Sequence, residues 1–216
     1  MPSEASSPCI KLLTWNCIGL SRASAIHSLR VEIRKHSPYI PFLSKTKTQH
    51  AHVIVVLNSL GFFIIFYFYF FFMSHAPPTS SKGGLLLAWR HGMDLECFST
   101  TINTINAWCY YNPHNNPWLF TCIYGPPEKI NKSYFWDSLL DVGKDYIEPW
   151  LCIGDFNMIL LQSEKYGGRP YACSSNDPFH SFLDSFGMVD LGLVTLLFGL
   201  ISVKTIILSR NVLIVE

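Results

Sequence analysis

The run "WLCIGDFNMIL", residues 150–160, constrains this chain more than any other stretch. Trp150, Leu151, Cys152 and Ile153 are apolar in succession, without the alternation of a strand that has one wet face. A strand of that kind is buried, and the rest of the chain has to cover it. The run then closes with Gly154, Asp155 and Asn157. Successive side chains of an extended chain point to opposite faces, so an acid and an amide two residues apart are expected to share a side while Phe156 turns into the core. The same residues are also ordinary turn formers, and residues 155 and 157 alone do not separate the two readings.

The remaining pattern alternates short strands with helices. "IKLLTWN" (10–16) reads as a central strand. "SRASAIHSLRVEIRKH" places Ile26, Leu29 and Ile33 at helical spacing, with Arg34, Lys35 and His36 in the last turn, where cations suit the helix dipole, and Pro38 beyond. "YIPFLSK" follows as a second strand, which makes a βαβ opening. "GGLLLAWR", "LECFST", "INAWCYYN" and "WLFTCIYG" are short, aromatic or β-branched, and separated by turn residues, the pattern of antiparallel strands. "NKSYFWDSLLDVGKDY" predicts a helix with Tyr134, Phe135, Trp136, Leu139 and Leu140 on its apolar face. A second helix is predicted where Pro178 precedes Phe179, Phe182, Leu183 and Phe186, with Gly187 closing it. Beyond Asp190 the sequence is apolar with little periodicity. The whole argues for an α/β fold of two mixed, largely antiparallel sheets packed together with helices outside.

At 216 residues the chain suits one domain, here taken as residues 10–216, with residues 1–9 expected to be disordered. Charged residues make up 14% of it and the net charge is +1, so no overall field selects nucleic acid or membrane as a partner. Seven cysteines show no CxxC pair and no metal-like spacing, and read as reduced, mostly buried thiols of an intracellular, nuclear or cytoplasmic protein. The start lacks the pattern of a secretory signal. Residues 53–73 carry no charge and are long enough to span a bilayer, which leaves a membrane-anchored fragment as one alternative. Asn58, Ser59 and Gly61 interrupt that run, and neither flank has a basic bias. His50 and His52 have no carboxylate or cysteine beside them in sequence and read as solvated. Trp15 and Phe156 are assigned to core.

Nine segments, "LLTWNCIGL", "FLSKTKTQ", "LNSLGFF", "KGGLLLAW", "CIYGPP", "FWDSLL", "IGDFNMIL", "EKYGG" and "FHSFLDSFGMVDLG", stand in an order that resembles the endonuclease/exonuclease/phosphatase superfamily. Within it, the wording is similar to the endonuclease region of plant LINE-type non-LTR retroelements. The resemblance spans Lys11 to Gly192. It implies a DNase I-like four-layer sandwich and Mg²⁺-dependent hydrolysis of DNA phosphodiester bonds. By the same resemblance, Asn16 helps hold the metal, Tyr124 contacts the scissile phosphate, Asp155 orients or activates the attacking water near the metal, and Asn157 binds phosphoryl oxygens. Such a set is chemically coherent, because a hard cation prefers oxygen ligands and fixed amide and phenol donors suit the charge that develops on phosphorus.

Two departures matter. Where the family has a metal-binding Glu, this chain has Lys45. At a separation of about 4 Å and an effective dielectric near 20, each pair of unit charges interacts by roughly 4 kcal/mol, so replacing attraction by repulsion costs several kcal/mol. The family's late Ser-Asp-His segment has no counterpart, the last histidine being His180. The tail resembles the region ahead of the family's C-terminal strands, which are therefore expected to be missing, and an apolar insertion is expected near residues 62–80. These features imply an impaired or inactive enzyme. The rival reading is a non-catalytic nucleic-acid-binding or interaction remnant, with Arg30, Arg34, Lys35, Lys45 and Lys47 as phosphate contacts.

Overall fold

The computed structural model describes residues 10–47, 50–62, 64–68, 83–110, 117–158, 177–190 and 204–208. The chain divides into two compact units, with the boundary between Met93 and Asp94.

In the first unit β1 (Leu12–Asn16) runs parallel to β2 (Ile40–Ser44), and α1 (Ala23–His36) makes the crossover between them. The sheet continues through β4 (Leu85–Trp89) to β3 (Ile64–Phe68), both pairings antiparallel, in the order β1-β2-β4-β3. α1 forms where the spacing of Ile26, Leu29 and Ile33 predicts it, and those residues are its buried ones. They pack with Leu43, Leu86 and Ala88 of the sheet and with Val53, Val56 and Leu57 of α2 (His50–Asn58). On the other face Ile40, Phe42, Leu85 and Leu87 are buried too.

The uncharged stretch from Val53 is not a single span. α2 ends in a Schellman cap: Phe62 N donates to Leu57 O at 3.1 Å and Gly61 N to Asn58 O at 3.0 Å, with Gly61 at φ +84°. Glycine takes that left-handed position without the Cβ penalty. Leu57 and Phe62 then meet in the core, as this motif favours. The chain re-enters as β3, whose register with β4 runs from Ile64 opposite Trp89 to Phe68 opposite Leu85. Part of the expected insertion is thus a strand of the sheet, and residues 69–82 lie outside the described residues. Among the described residues no helix is long and apolar enough to cross a membrane.

The second unit orders its strands β5-β6-β7-β8-β10-β9. β5 (Asp94–Thr100), β6 (Thr104–Tyr110) and β7 (Trp118–Tyr124) form an antiparallel meander. β8 (Trp150–Asp155) lies parallel to β7, and α3 (Lys129–Lys144) makes that crossover. α4 (Pro178–Phe186) leads into β9 (Met188–Asp190), and β10 (Lys204–Leu208) pairs antiparallel with both β8 and β9. Periodicity does not announce β10. A strand inserted between two others gains its place from backbone pairing on both edges, which sequence pattern does not report.

α3 and α4 cover one face of this sheet through Phe135, Trp136, Leu139, Phe179, Phe182 and Leu183, against Leu119, Ile123, Trp150 and Cys152. Tyr134 departs from its predicted place on the apolar face of α3 and is 81% exposed, on the same side of the helix as Ile130. The α4 caps match expectation: Asp177 accepts from Phe179 N at 2.9 Å, Pro178 follows it, and Gly187 closes the helix at φ +59°. Cys17, Cys109, Cys122 and Cys152 are free and buried, and burial raises each thiol pKa well above its usual value. Cys97 is less buried and its thiol is pushed up to about 11.

A buried polar chain crosses three strands. Trp150 Nε1 donates to Thr121 Oγ1 at 2.8 Å, and the Thr121 hydroxyl donates to Asn106 Oδ1 at 2.9 Å. Thr121→Val keeps the shape and strands both partners. Urea unfolding of that variant should show a loss of about 1–3 kcal/mol, the usual cost of leaving buried polar groups unpaired.

Candidate functional site

β7 and β8 run side by side to their C-terminal ends, so that Tyr124 is the register partner of Asp155. Two glycines permit this. A Cβ on Gly154 would lie 1.9 Å from Ile123 O, and one on Gly125 would lie 2.2 Å from Phe156 O. Gly154 also has φ +137°, where side chains are strained whatever the space. The tips are then laced together: Gly125 N donates to Asp155 O at 2.8 Å, and Asn157 Nδ2 donates to Gly125 O at 2.7 Å.

Strand alternation does not bring Asp155 and Asn157 together. β8 ends at Asp155, and Asn157 takes a left-handed conformation, φ +50°. Its backbone N–H donates to Asp155 Oδ1 at 3.1 Å, an Asx turn. The residues act here as turn formers, and the Asn157 side chain reaches Gly125 O. Phe156 turns inward as expected, is 1% exposed, and stacks on Trp136 at 5.9 Å between centroids with Phe179 at 6.0 Å. A buried acid and a half-buried amide are thus held by an aromatic ring between them.

Two residues that the sequence reading did not select hold these tips. Asn103, in the β5–β6 connection, donates through Nδ2 to Tyr124 O at 2.6 Å and accepts from Tyr124 N at 2.7 Å. Lys132, on the first turn of α3, donates through Nζ to the backbone carbonyl of Asn157. Burial lowers the Lys132 pKa, while the carboxylates of Asp177 and Asp155 act in the opposite sense. A signal for Lys132 was present, since a lysine in a first turn that holds no acid opposes the helix dipole. Asp177 also stands 3.7 Å from His180 Nδ1.

In the first unit Asn16 is the register partner of Ser44, again at the C-terminal ends of a parallel pair. Cys17 N donates to Ser44 O at 2.9 Å and Leu20 N to Thr46 O at 2.7 Å, which ties the two segments leaving the strands. Lys45 follows Ser44 directly, at φ +51°. Asn16 and Lys45 therefore sit on neighbouring tips of one unit, and Tyr124, Asp155 and Asn157 on neighbouring tips of the other. Arg34 and Lys35 are exposed at the end of α1 and Lys47 is exposed after β2, whereas Arg30 is half-buried.

Charge at the tips of the first unit works against Mg²⁺. A hard cation takes oxygen ligands, whereas Lys45 beside Asn16 offers an ammonium with donors only. Among the described residues no group of three His, Cys, Asp or Glu side chains is placed to hold a metal. His50 and His52 lie in the first turn of α2.

No family model matches the sequence, and no curated protein matches it. Solved structures do. The AP endonuclease LMAP from Leishmania major is similar at a TM-score of 0.67 and 13% identity, over 94% of this chain and 80% of that one. The endonuclease domain of TRAS1, a telomere-specific non-LTR retrotransposon, is similar at 0.59 and 14% identity, over 93% and 85%. A 3′ phosphatase from Neisseria bound to a product DNA hairpin is similar at 0.59 and 15% identity, over 84% and 72%. The chain has the α/β architecture of mixed sheets and flanking helices of the DNase I-like fold.

Gly154→Ala adds a Cβ into the Ile123 carbonyl at a φ reserved for glycine. Denaturant unfolding should report a loss of at least ~2 kcal/mol, from strain and overpacking together. Gly92→Ala serves as the control, because it also has positive φ, +94°, but no atom within 4 Å of its Cβ. It should lose clearly less.

Proposed function

We propose that this chain is a nuclease-like domain, derived from a retroelement endonuclease of the plant LINE type, that contacts DNA phosphodiesters and has lost efficient hydrolysis. The observation that carries the reading is the turn at the end of β8, where Asp155 and Asn157 are locked beside Tyr124 by the Gly125 and Gly154 contacts. Asn157 Nδ2 has two hydrogens and uses one on Gly125 O, which orients the amide and leaves the second to offer a phosphoryl oxygen. The Tyr124 phenol, on the adjacent tip, is the second donor. Asp155 is 8% exposed and its carboxylate is fixed by the Asn157 amide N–H, the placement required of a group that orients an attacking water.

Hydrolysis is where the reading predicts failure. In this proposal Asn16 of the first unit and Asp155 of the second are each a candidate oxygen ligand, and Mg²⁺, when bound, would supply the charge that stabilises the transition state. Lys45 opposes that binding. Recognition of DNA as the partner is supported by fold likeness to proteins described as AP endonucleases, a retrotransposon endonuclease domain and a DNA-bound 3′ phosphatase. The residues argued to contact phosphate are Tyr124 and Asn157, with Lys45, Lys47, Arg34 and Lys35 as basic side chains that would add a salt-dependent component.

A plasmid-nicking assay with Mg²⁺ tests the catalytic half. The native chain should not nick above buffer, and neither should Lys45→Glu, although the latter should regain measurable Mg²⁺ binding by calorimetry. Robust EDTA-sensitive nicking by the native chain, abolished by Asp155→Ala, would overturn the inactive assignment. Duplex binding measured by fluorescence anisotropy tests the other half. It should weaken steeply between 50 and 200 mM salt and fall about tenfold in Asn157→Ala, the equivalent of one charge-assisted hydrogen bond.

A further inference from the structure

We infer that Lys132 is a positioning residue, whose ammonium holds the Asp155–Asn157 turn in its left-handed form and so presents Asn157 to a phosphodiester. The role rests on the function proposed above. Three hydrogen bonds fix Asn157: its N–H donates to Asp155 Oδ1, its Nδ2 donates to Gly125 O, and its carbonyl accepts from Lys132 Nζ. The first closes the turn within the tip of β8 and the second joins that tip to the tip of β7, and tips joined only to each other can move together. Of the three, the Lys132 bond alone ties the turn to a helix.

That helix is anchored elsewhere. Phe135, Trp136 and Leu139 of α3 are buried in the core against β7, β8 and α4. Lys132 therefore does not carry the docking of α3, and its placement calls for another explanation. A cation in the first turn opposes the helix dipole, and burial disfavours its charge further. Two carboxylates offset this: Asp155 at the end of β8 and Asp177 at the N-cap of α4. One ammonium thus stands among the three segments that form and flank the turn. Asn157 sits in the left-handed region, which asparagine enters more readily than other residues bearing a side chain, and its three hydrogen bonds select that conformation over the extended one.

The test uses the 216-residue chain labelled with ¹⁵N, as Lys132→Met and Lys132→Arg. Lys132→Met keeps the aliphatic stem and removes the donor, so its melting temperature should stay close to that of the native chain. Its Asn157 backbone and side-chain amide resonances should shift, and its affinity for a short DNA duplex should fall about tenfold, the scale of one hydrogen bond from a charged group. Lys132→Arg should return both toward native values. Unmoved Asn157 resonances in Lys132→Met overturn the inference, and so do shifted resonances with unchanged affinity. If the native chain fails to bind duplex, the proposed function falls by that measurement, and the Asn157 resonances alone decide the role of Lys132.

Discussion

The close parallel approach of β7 and β8 at their C-terminal ends governs the second unit. Backbone meets backbone there at a spacing with no room for a Cβ, over the Ile123 carbonyl on one side and the Phe156 carbonyl on the other. Glycine at 125 and 154 is the steric condition for Tyr124 and Asp155 to share a register line, and for Asn157 to reach Gly125 O. With any side chain at those positions the strand tips would separate, and the hydrogen bonds between Gly125 and the Asp155–Asn157 turn would lose their partners.

Behind the turn lies an aromatic block. Trp136 touches Phe135, Phe156, Phe179 and Phe182, while Trp150 meets Phe182 and Phe186. Rings of this size bury large areas in fixed relative orientations, so the block is stiff as well as cohesive. Phe156 belongs to it and stands between the acid and the amide, which transfers that stiffness to the polar turn. The Trp150–Thr121–Asn106 chain adds a directional constraint across β8, β7 and β6 that apolar packing alone would not supply.

Both units repeat one device: a parallel strand pair joined by a helical crossover, with polar residues on the C-terminal tips. The chemistry placed there differs. The second unit keeps an acid and an amide in a built turn beside a phenol, whereas the first has a buried asparagine at the end of β1 and the ammonium of Lys45 one residue past β2. Charge separates the two pairs of tips, and so does the glycine-permitted close approach at β7 and β8. The similarity to DNase I-like structures at 13–15% identity fits that contrast, because a backbone arrangement outlasts the side chains it carries.

Much of the architecture was legible in the residues. Ile26, Leu29 and Ile33 announced α1, Pro178 to Gly187 announced α4, and the apolar runs ending in Asn16 and Asp155 located two strands, because periodicity and terminators are local properties of the chain, but β8 is interior whereas β1, expected to be central, stands at the edge of its described sheet. Val53 to Met73 was ambiguous for the same reason: an apolar run reads alike as span, helix or strand until Gly61 caps α2 and β4 offers β3 an edge. β10 was illegible, since its only warrant is pairing with β8 and β9. Sequence by itself determined which residues could do polar work at strand ends, including the misfit of Lys45. Only the tertiary structure decided that Asp155 and Asn157 meet through a left-handed turn, held by Asn103 beneath Tyr124 and by Lys132 from α3. Those contacts join residues about 20 to 30 positions apart, and hydrogen bonds across such separations have no signature in local pattern.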